Sequence, residues 1–161
     1  MAWAGVRPPA KRLTAGNLGL IANTEVFLDT NILLYAALGR DHAGHRWARA
    51  REIVLTEDYC TSGQVLAEFY NISTRKGAPP LTSDKAREWV RAIAMKPCEP
   101  VTPEVVLAGI DNARRYQISY WDGAIIAAAE RLGARIVYSE DLNHGQTYGS
   151  VRVENPFLPT A

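Results

Sequence analysis

Residues 25–39 read Glu25-Val26-Phe27-Leu28-Asp29-Thr30-Asn31-Ile32-Leu33-Leu34-Tyr35-Ala36-Ala37-Leu38-Gly39, and they hold one turn of a repeating pattern. Val26-Phe27-Leu28 is a short apolar run of the kind that forms a buried strand, and it ends at Asp29. Thr30 or Asn31 can cap a helix begun there, because a short polar side chain accepts from the unpaired N–H groups of a first helical turn. The apolar segment 32–38 then predicts a short buried helix, closed by Gly39.

The same unit recurs along the chain. Within 42–57, Trp47, Ala50, Ile53 and Val54 stand at helical spacing with arginines between them. Tyr59-Cys60-Thr61 predicts a second strand, and 63–74 a helix through Val65, Leu66, Phe69, Tyr70 and Ile72. Arg75-Lys76-Gly77-Ala78-Pro79-Pro80 is a loop. Thr82-Ser83-Asp84 opens a helix whose inner face is Ala86, Trp89, Val90 and Ile93. Residues 98–101 suggest a third strand, and Thr102-Pro103-Glu104 is a helix start with proline in the first turn. Ser119-Tyr120-Trp121-Asp122 opens a helix of small residues that stops at Gly133. Arg135-Ile136-Val137-Tyr138 and Val151-Arg152-Val153 are the remaining strands. Alternation of strand and helix predicts an α/β fold, a three-layer α/β/α sandwich with a central parallel sheet. Sites in such folds lie at the carboxyl ends of the strands.

The whole chain sets bounds on function. Its 161 residues suit one domain, here 25–161, preceded by residues 1–24, which read as a flexible N-terminal extension. A net charge of +1 does not announce a nucleic-acid binder, so any basic footprint has to be local. Cys60 and Cys98 are far apart and outside any zinc pattern, consistent with free thiols in the cytoplasm. No apolar run approaches the roughly 20 residues of a membrane helix.

Four acids stand out. Asp29 ends the first strand, and Asp141 lies three residues beyond Tyr138, at the end of a later strand. Asp122 is in the first turn of the helix before that strand, and Glu68 lies among apolar residues in Leu66-Ala67-Glu68-Phe69-Tyr70. Each has an ordinary role available: a helix cap, a first-turn acid favoured by the helix dipole, a loop turn, a helical glutamate. If they converge, the balance changes. Two like charges about 5 Å apart repel by roughly 3 kcal/mol at an effective dielectric of 20. A hard divalent ion relieves that repulsion, and oxygen-only ligands favour Mg²⁺ or Mn²⁺ over zinc. The chemistry then implied is phosphodiester hydrolysis.

The segments Val26-Phe27-Leu28-Asp29-Thr30-Asn31, Leu66-Ala67-Glu68-Phe69-Tyr70, Ile118-Ser119-Tyr120-Trp121-Asp122-Gly123-Ala124-Ile125 and Val137-Tyr138-Ser139-Glu140-Asp141-Leu142 resemble the PIN-domain nucleases, in order and in spacing. Within them, the chain is similar to the VapC-type toxins of bacterial toxin–antitoxin pairs. The likeness spans about 25–158 and includes the ending Val153-Glu154-Asn155-Pro156-Phe157. It implies a PIN-like fold and a Mg²⁺- or Mn²⁺-dependent endoribonuclease. Asp29, Glu68, Asp122 and Asp141 are then metal-site and catalytic carboxylates, with Asp29 and Asp122 as the direct ligands. Thr30 and Asn31 would support Asp29 or a bound water. An RNA substrate, a cognate antitoxin and a homodimer come with the likeness. A non-catalytic PIN-like module that binds RNA or protein is the alternative.

Several residues depart from that pattern or compete with it. Many members have alanine after the third acid, where this chain has Gly123, a change expected to loosen the first helical turn slightly. Glu140 adjoins the fourth acid and is a substitute for Asp141; His144 is close enough in sequence to contact phosphate or to act as an acid. Arg40, Arg46, Arg49 and Arg51 form a basic cluster, and Arg114-Arg115-Tyr116 precedes the third acid. Either can track a nucleic-acid backbone or simply be a solvated face. His42 and His45 belong to no HExxH pattern. Trp47 and Trp89 sit among aliphatics as core or dimer residues. A phosphatase with Asp29 as nucleophile would want an aspartate where Asn31 stands.

Overall fold

The computed structural model describes residues 24–159. The extension assigned to residues 1–24 lies, apart from Thr24, outside the described residues. In chain order the elements are β1 (Val26–Leu28), α1 (Thr30–Leu38), α2 (Arg40–Ala43), α3 (Arg46–Thr56), β2 (Tyr59–Ser62), α4 (Gly63–Ser73), α5 (Ser83–Ile93), β3 (Cys98–Glu99), α6 (Pro103–Tyr116), α7 (Tyr120–Arg131), β4 (Ile136–Tyr138), β5 (Thr147–Tyr148) and β6 (Val151–Glu154).

The strands form one sheet in the order β3-β2-β1-β4-β6-β5. All neighbours are parallel except the β5–β6 pair at one edge. β1 is central: Val26 pairs with Tyr59 on one side and with Ile136 on the other. From β1 the chain first steps outward to β2 and β3, then returns to β4 on the far side of β1. Right-handed crossovers therefore put α1–α5 on one face and α6–α7 on the other. The predicted three-layer α/β/α architecture is the one observed. The turning point between β1 and β4 is where a crevice opens at the carboxyl ends of parallel strands.

β1 is buried in all three residues, as a strand covered on both faces must be. Phe27, Leu28, Ile32, Leu33, Ile126, Val137 and Val153 are fully excluded from solvent and join the helical layers through the sheet. Among the described residues, no helix is long and apolar enough to cross a membrane.

Four local expectations are corrected. The helix expected over 42–57 is two, α2 and α3, because Gly44 takes φ 58° and ends the first. The third strand stops at Glu99, since Pro100 has no N–H to continue the ladder. β5 is an additional strand: a two-residue antiparallel edge strand carries almost no periodic signal. Finally, the cap of α1 is Asp29 itself, whose carboxylate accepts from the Thr30 N–H at 2.6 Å, not Thr30 or Asn31.

Candidate active site

Asp29, Glu68, Asp122 and Asp141 line one cavity of about 500 Å³ at the carboxyl end of the sheet. β1 delivers Asp29 at its last step, and the turn after β4 delivers Asp141. Helix α4, launched from β2 by its Ser62 cap, carries Glu68 two turns on, and the first turn of α7 carries Asp122. The lining also includes Thr30, Asn31, Asn71, Ser119 and Trp121, and none of its residues is basic.

Each carboxylate has its own donor. Asp29, only 4% exposed, accepts from the Ser139 hydroxyl at 2.7 Å besides the Thr30 amide. Glu68 accepts from the Thr30 hydroxyl at 2.9 Å and from Gln64 Nε2 at 3.2 Å. Asp122 accepts from the Ser119 hydroxyl at 2.7 Å, while its N–H donates back to the same oxygen at 3.1 Å. Asp141, at the exposed rim, accepts from Asn31 Nδ2 at 2.6 Å. The supporting roles expected of Thr30 and Asn31 are thus redistributed. Thr30 serves Asp29 by its backbone and Glu68 by its side chain, and Asn31 serves Asp141.

Electrostatics follow from burial. Desolvation pushes the Asp29 carboxyl from its ordinary 3.8 up to about 7, against the Ser139 and Thr30 hydrogen bonds that favour its charged form. The charges of Asp141 and Glu68 add to the rise. Asp141 is also raised, by desolvation first and then by the charges of Asp122 and Glu140. The cavity therefore concentrates negative charge that no lining side chain neutralises.

A hard divalent cation suits this donor set. All the charged donors are oxygens, Asp29 and Asp141 are raised by desolvation first and then by neighbouring carboxylates, and a bound divalent cation would favour the charged form of both. Among the described residues no three His, Cys, Asp or Glu side chains are already drawn together into a metal cage. Each acid is turned instead to the donor just named.

The neighbours of the site resolve two ambiguities. Glu140 points away from the cavity: the Tyr35 hydroxyl donates to its Oε1, and Arg46 Nε lies 3.0 Å from its Oε2. That nitrogen is buried but not aligned to donate, so the contact is an ion pair without a hydrogen bond. The Arg46 guanidinium also lies over the Tyr35 ring, 5.4 Å from its centroid. His144 is absent from the lining, and its Nδ1 accepts from the Asn155 N–H at 3.0 Å, tying two loops together.

Sequence reasoning passes over Ser139 and Gln64, and reads Ser119 only as a helix start and not as a partner of Asp122. Ser139 is fully buried, and its hydroxyl joins Asp29 to the Asp141 N–H, which donates to it at 3.1 Å. A lone serine directly after an apolar strand is the available signal. For Ser119 the signal is a Ser-x-x-Asp capping box at the start of α7. Trp121, on the cavity wall, shows in the sequence only as part of a helix start.

The PIN domain family profile matches residues 26–149. No curated protein matches the sequence. Solved structures do share the fold. VapC20 of Mycobacterium tuberculosis, described as a Sarcin-Ricin loop cleaving toxin, is 20% identical with a TM-score of 0.56, over 71% of this chain and 88% of that one. A toxin–antitoxin complex from Klebsiella pneumoniae gives 15% identity and a TM-score of 0.58, over 82% and 98%. VapBC2 from Rickettsia felis, bound to a DNA fragment from its promoter, gives 12% and 0.53, over 80% and 96%.

Proposed function

The chain belongs to the PIN domain family, and from that premise we propose that it is a Mg²⁺- or Mn²⁺-dependent endoribonuclease, the toxin of a toxin–antitoxin pair, acting in the cytoplasm. The observation that carries the reading is the cavity in which Asp29, Glu68, Asp122 and Asp141 meet without a basic residue among them.

In this reading Asp29 and Asp122 hold the metal directly, and Glu68 and Asp141 hold it directly or through water. When bound, the ion supplies a Lewis acid for a phosphate oxygen and lowers the pKa of a water. The protein's own part is orientation. Ser139 and the Thr30 amide aim Asp29, and Ser119 aims Asp122 from within the same helical turn. Gln64 and the Thr30 hydroxyl hold Glu68 against the backbone that carries Asp29. Carboxylates held this way lose little further freedom when they act, which is the basis of electrostatic preorganisation.

The partners follow the same logic. One of the similar structures is described as a toxin–antitoxin complex, and another as VapBC2 bound to promoter DNA. The α4 helix that bears Glu68 also borders a mainly apolar recess of about 460 Å³, lined by Leu66, Ala67, Tyr70 and Val90 together with Ser83 and Arg87. We assign that recess to an apolar antitoxin helix, with a basic antitoxin side chain reaching the acids. Leu107 and Ile110 expose a stripe on α6 that suits a homodimer contact.

The test is incubation of antitoxin-free protein with structured RNA and Mn²⁺ or Mg²⁺, beside Asp29→Asn. Metal-dependent cutting by the wild type and none by the variant is the expected result. Binding without cutting, equal in both proteins, would overturn the nuclease reading and favour a non-catalytic module.

A further inference from the structure

Trp121 has a ring that the fold does not use. It is 59% exposed, yet it lines the acidic cavity immediately before Asp122. The other described tryptophans are engaged. Trp89 packs on Phe69 with ring centroids 6.1 Å apart and adjoins the core. Trp47 lies between the Arg40 and Arg51 guanidiniums, each 5.2 Å from its ring centroid. Among the described aromatic rings, Trp121 meets only that of neighbouring Tyr120, at 5.3 Å and 68°.

Its backbone, by contrast, is tied to the site. The Trp121 carbonyl accepts from Gln64 Nε2 at 3.3 Å, and the same nitrogen donates to Glu68 at 3.2 Å. The backbone that bears the indole is thus tied to the helix that carries Glu68, while the residue is more than half exposed. A large apolar plane in water beside a phosphodiester site is what an unpaired nucleobase stacks on. A base within a duplex has both faces covered and cannot use it.

We infer that Trp121 is a substrate-binding residue that stacks on an unpaired base next to the scissile phosphate and so selects single-stranded or looped RNA. This rests on the ribonuclease reading above, and the experiment separates the two. Fluorescein-labelled single-stranded RNAs of mixed sequence are bound in Ca²⁺, followed by anisotropy, and cut in Mn²⁺, with wild type, Trp121→Ala and Trp121→Phe. A matched series replaces one nucleotide at a time by an abasic residue, and a duplex of the same sequence is the control.

The expected result is a rise in Kd and KM of roughly 5- to 150-fold in Trp121→Ala, the range that base–aromatic stacking gives on alanine substitution. The kcat is nearly unchanged, and Trp121→Phe restores most of the loss. One abasic position weakens binding by wild type and has no further effect in Trp121→Ala. An alanine variant that binds and cuts like wild type overturns the inference, as does a loss equal at every abasic position. A changed sedimentation mass in Trp121→Ala overturns it as well, because the ring then belongs to a protein interface. If wild type binds RNA through Trp121 but never cuts, the nuclease reading falls and the stacking inference stands. If it neither binds nor cuts, both fall.

Discussion

Asp29 does three jobs with one carboxylate: it caps α1, it accepts from buried Ser139, and it forms the deepest wall of the acid cavity. The cost of that burial is visible in its proton affinity, raised to about 7. The consequence for stability has a definite sign. The native state holds a proton on Asp29 between about pH 4 and 7, where the unfolded chain has released it. Stability is therefore greatest below the ordinary pKa and is lost progressively as pH rises to about 7. Asp29→Asn keeps the shape and a capping oxygen but does not titrate. In EDTA, thermal melting of wild type relative to this variant is expected to fall steadily from pH 4 to 7 and then level. Parallel curves for the two proteins would show that Asp29 titrates as an ordinary carboxyl.

At the scale of elements, the seam between α6 and α7 positions Asp122. A Cβ on Gly123 would stand 2.4 Å from the Gly109 carbonyl oxygen and 2.9 Å from the Ala113 nitrogen. A Cβ on Gly109 would meet Ala124 at 2.9 Å. The two backbones touch, and Asn112 Nδ2 clamps the seam by donating to the Gly123 carbonyl at 3.2 Å. The turn is therefore pinned, not loosened as the absence of alanine suggests. In an open helix, Gly→Ala stabilises by up to about 1 kcal/mol. Here Gly123→Ala is expected to destabilise by roughly 1–3 kcal/mol, the usual range for overpacking. A lowered urea midpoint with an unchanged slope is the signature, and a raised midpoint would contradict the contact.

For the molecule as a whole, the site is a place where folding leaves negative charge unbalanced, so a cation that fills it stabilises the entire domain. Mn²⁺ at about 100 times its Kd contributes about 2.7 kcal/mol. For a domain of this size that is roughly 5–10 °C in Tm. The gain is expected to be smaller at pH 5 than at pH 7.5, because on the proposed assignment of Asp29 as a ligand its carboxyl would have to give up a proton to bind the ion. Asp122→Asn should lose most of it at both pH values. Scanning calorimetry with and without Mn²⁺ checks this, and an ion-independent Tm at pH 7.5 would count against a divalent site. The same assembly logic explains the placing of Glu140. The chain has two adjacent acids after β4, and the packing of Tyr35 and Arg46 from the α1–α3 layer claims one of them.

What the sequence determined alone was local. The apolar run of β1, the helix starts at Thr82, Thr102 and Ser119, and the stop at Gly133 depend on residues within a turn of one another, and pattern reading finds them. Their alternation was enough for the fold class. Tertiary structure alone decided which acids share a cavity and how deeply Asp29 is buried. It also decided that Ser139 joins Asp29 to the Asp141 backbone and that α6 and α7 touch at Gly109 and Gly123. The Asp29–Ser139 and Asn31–Asp141 bonds each join residues 110 apart. Contacts of that span exist only where β1 and β4 lie side by side, and no residue's identity reports its desolvation until the chain has closed around it.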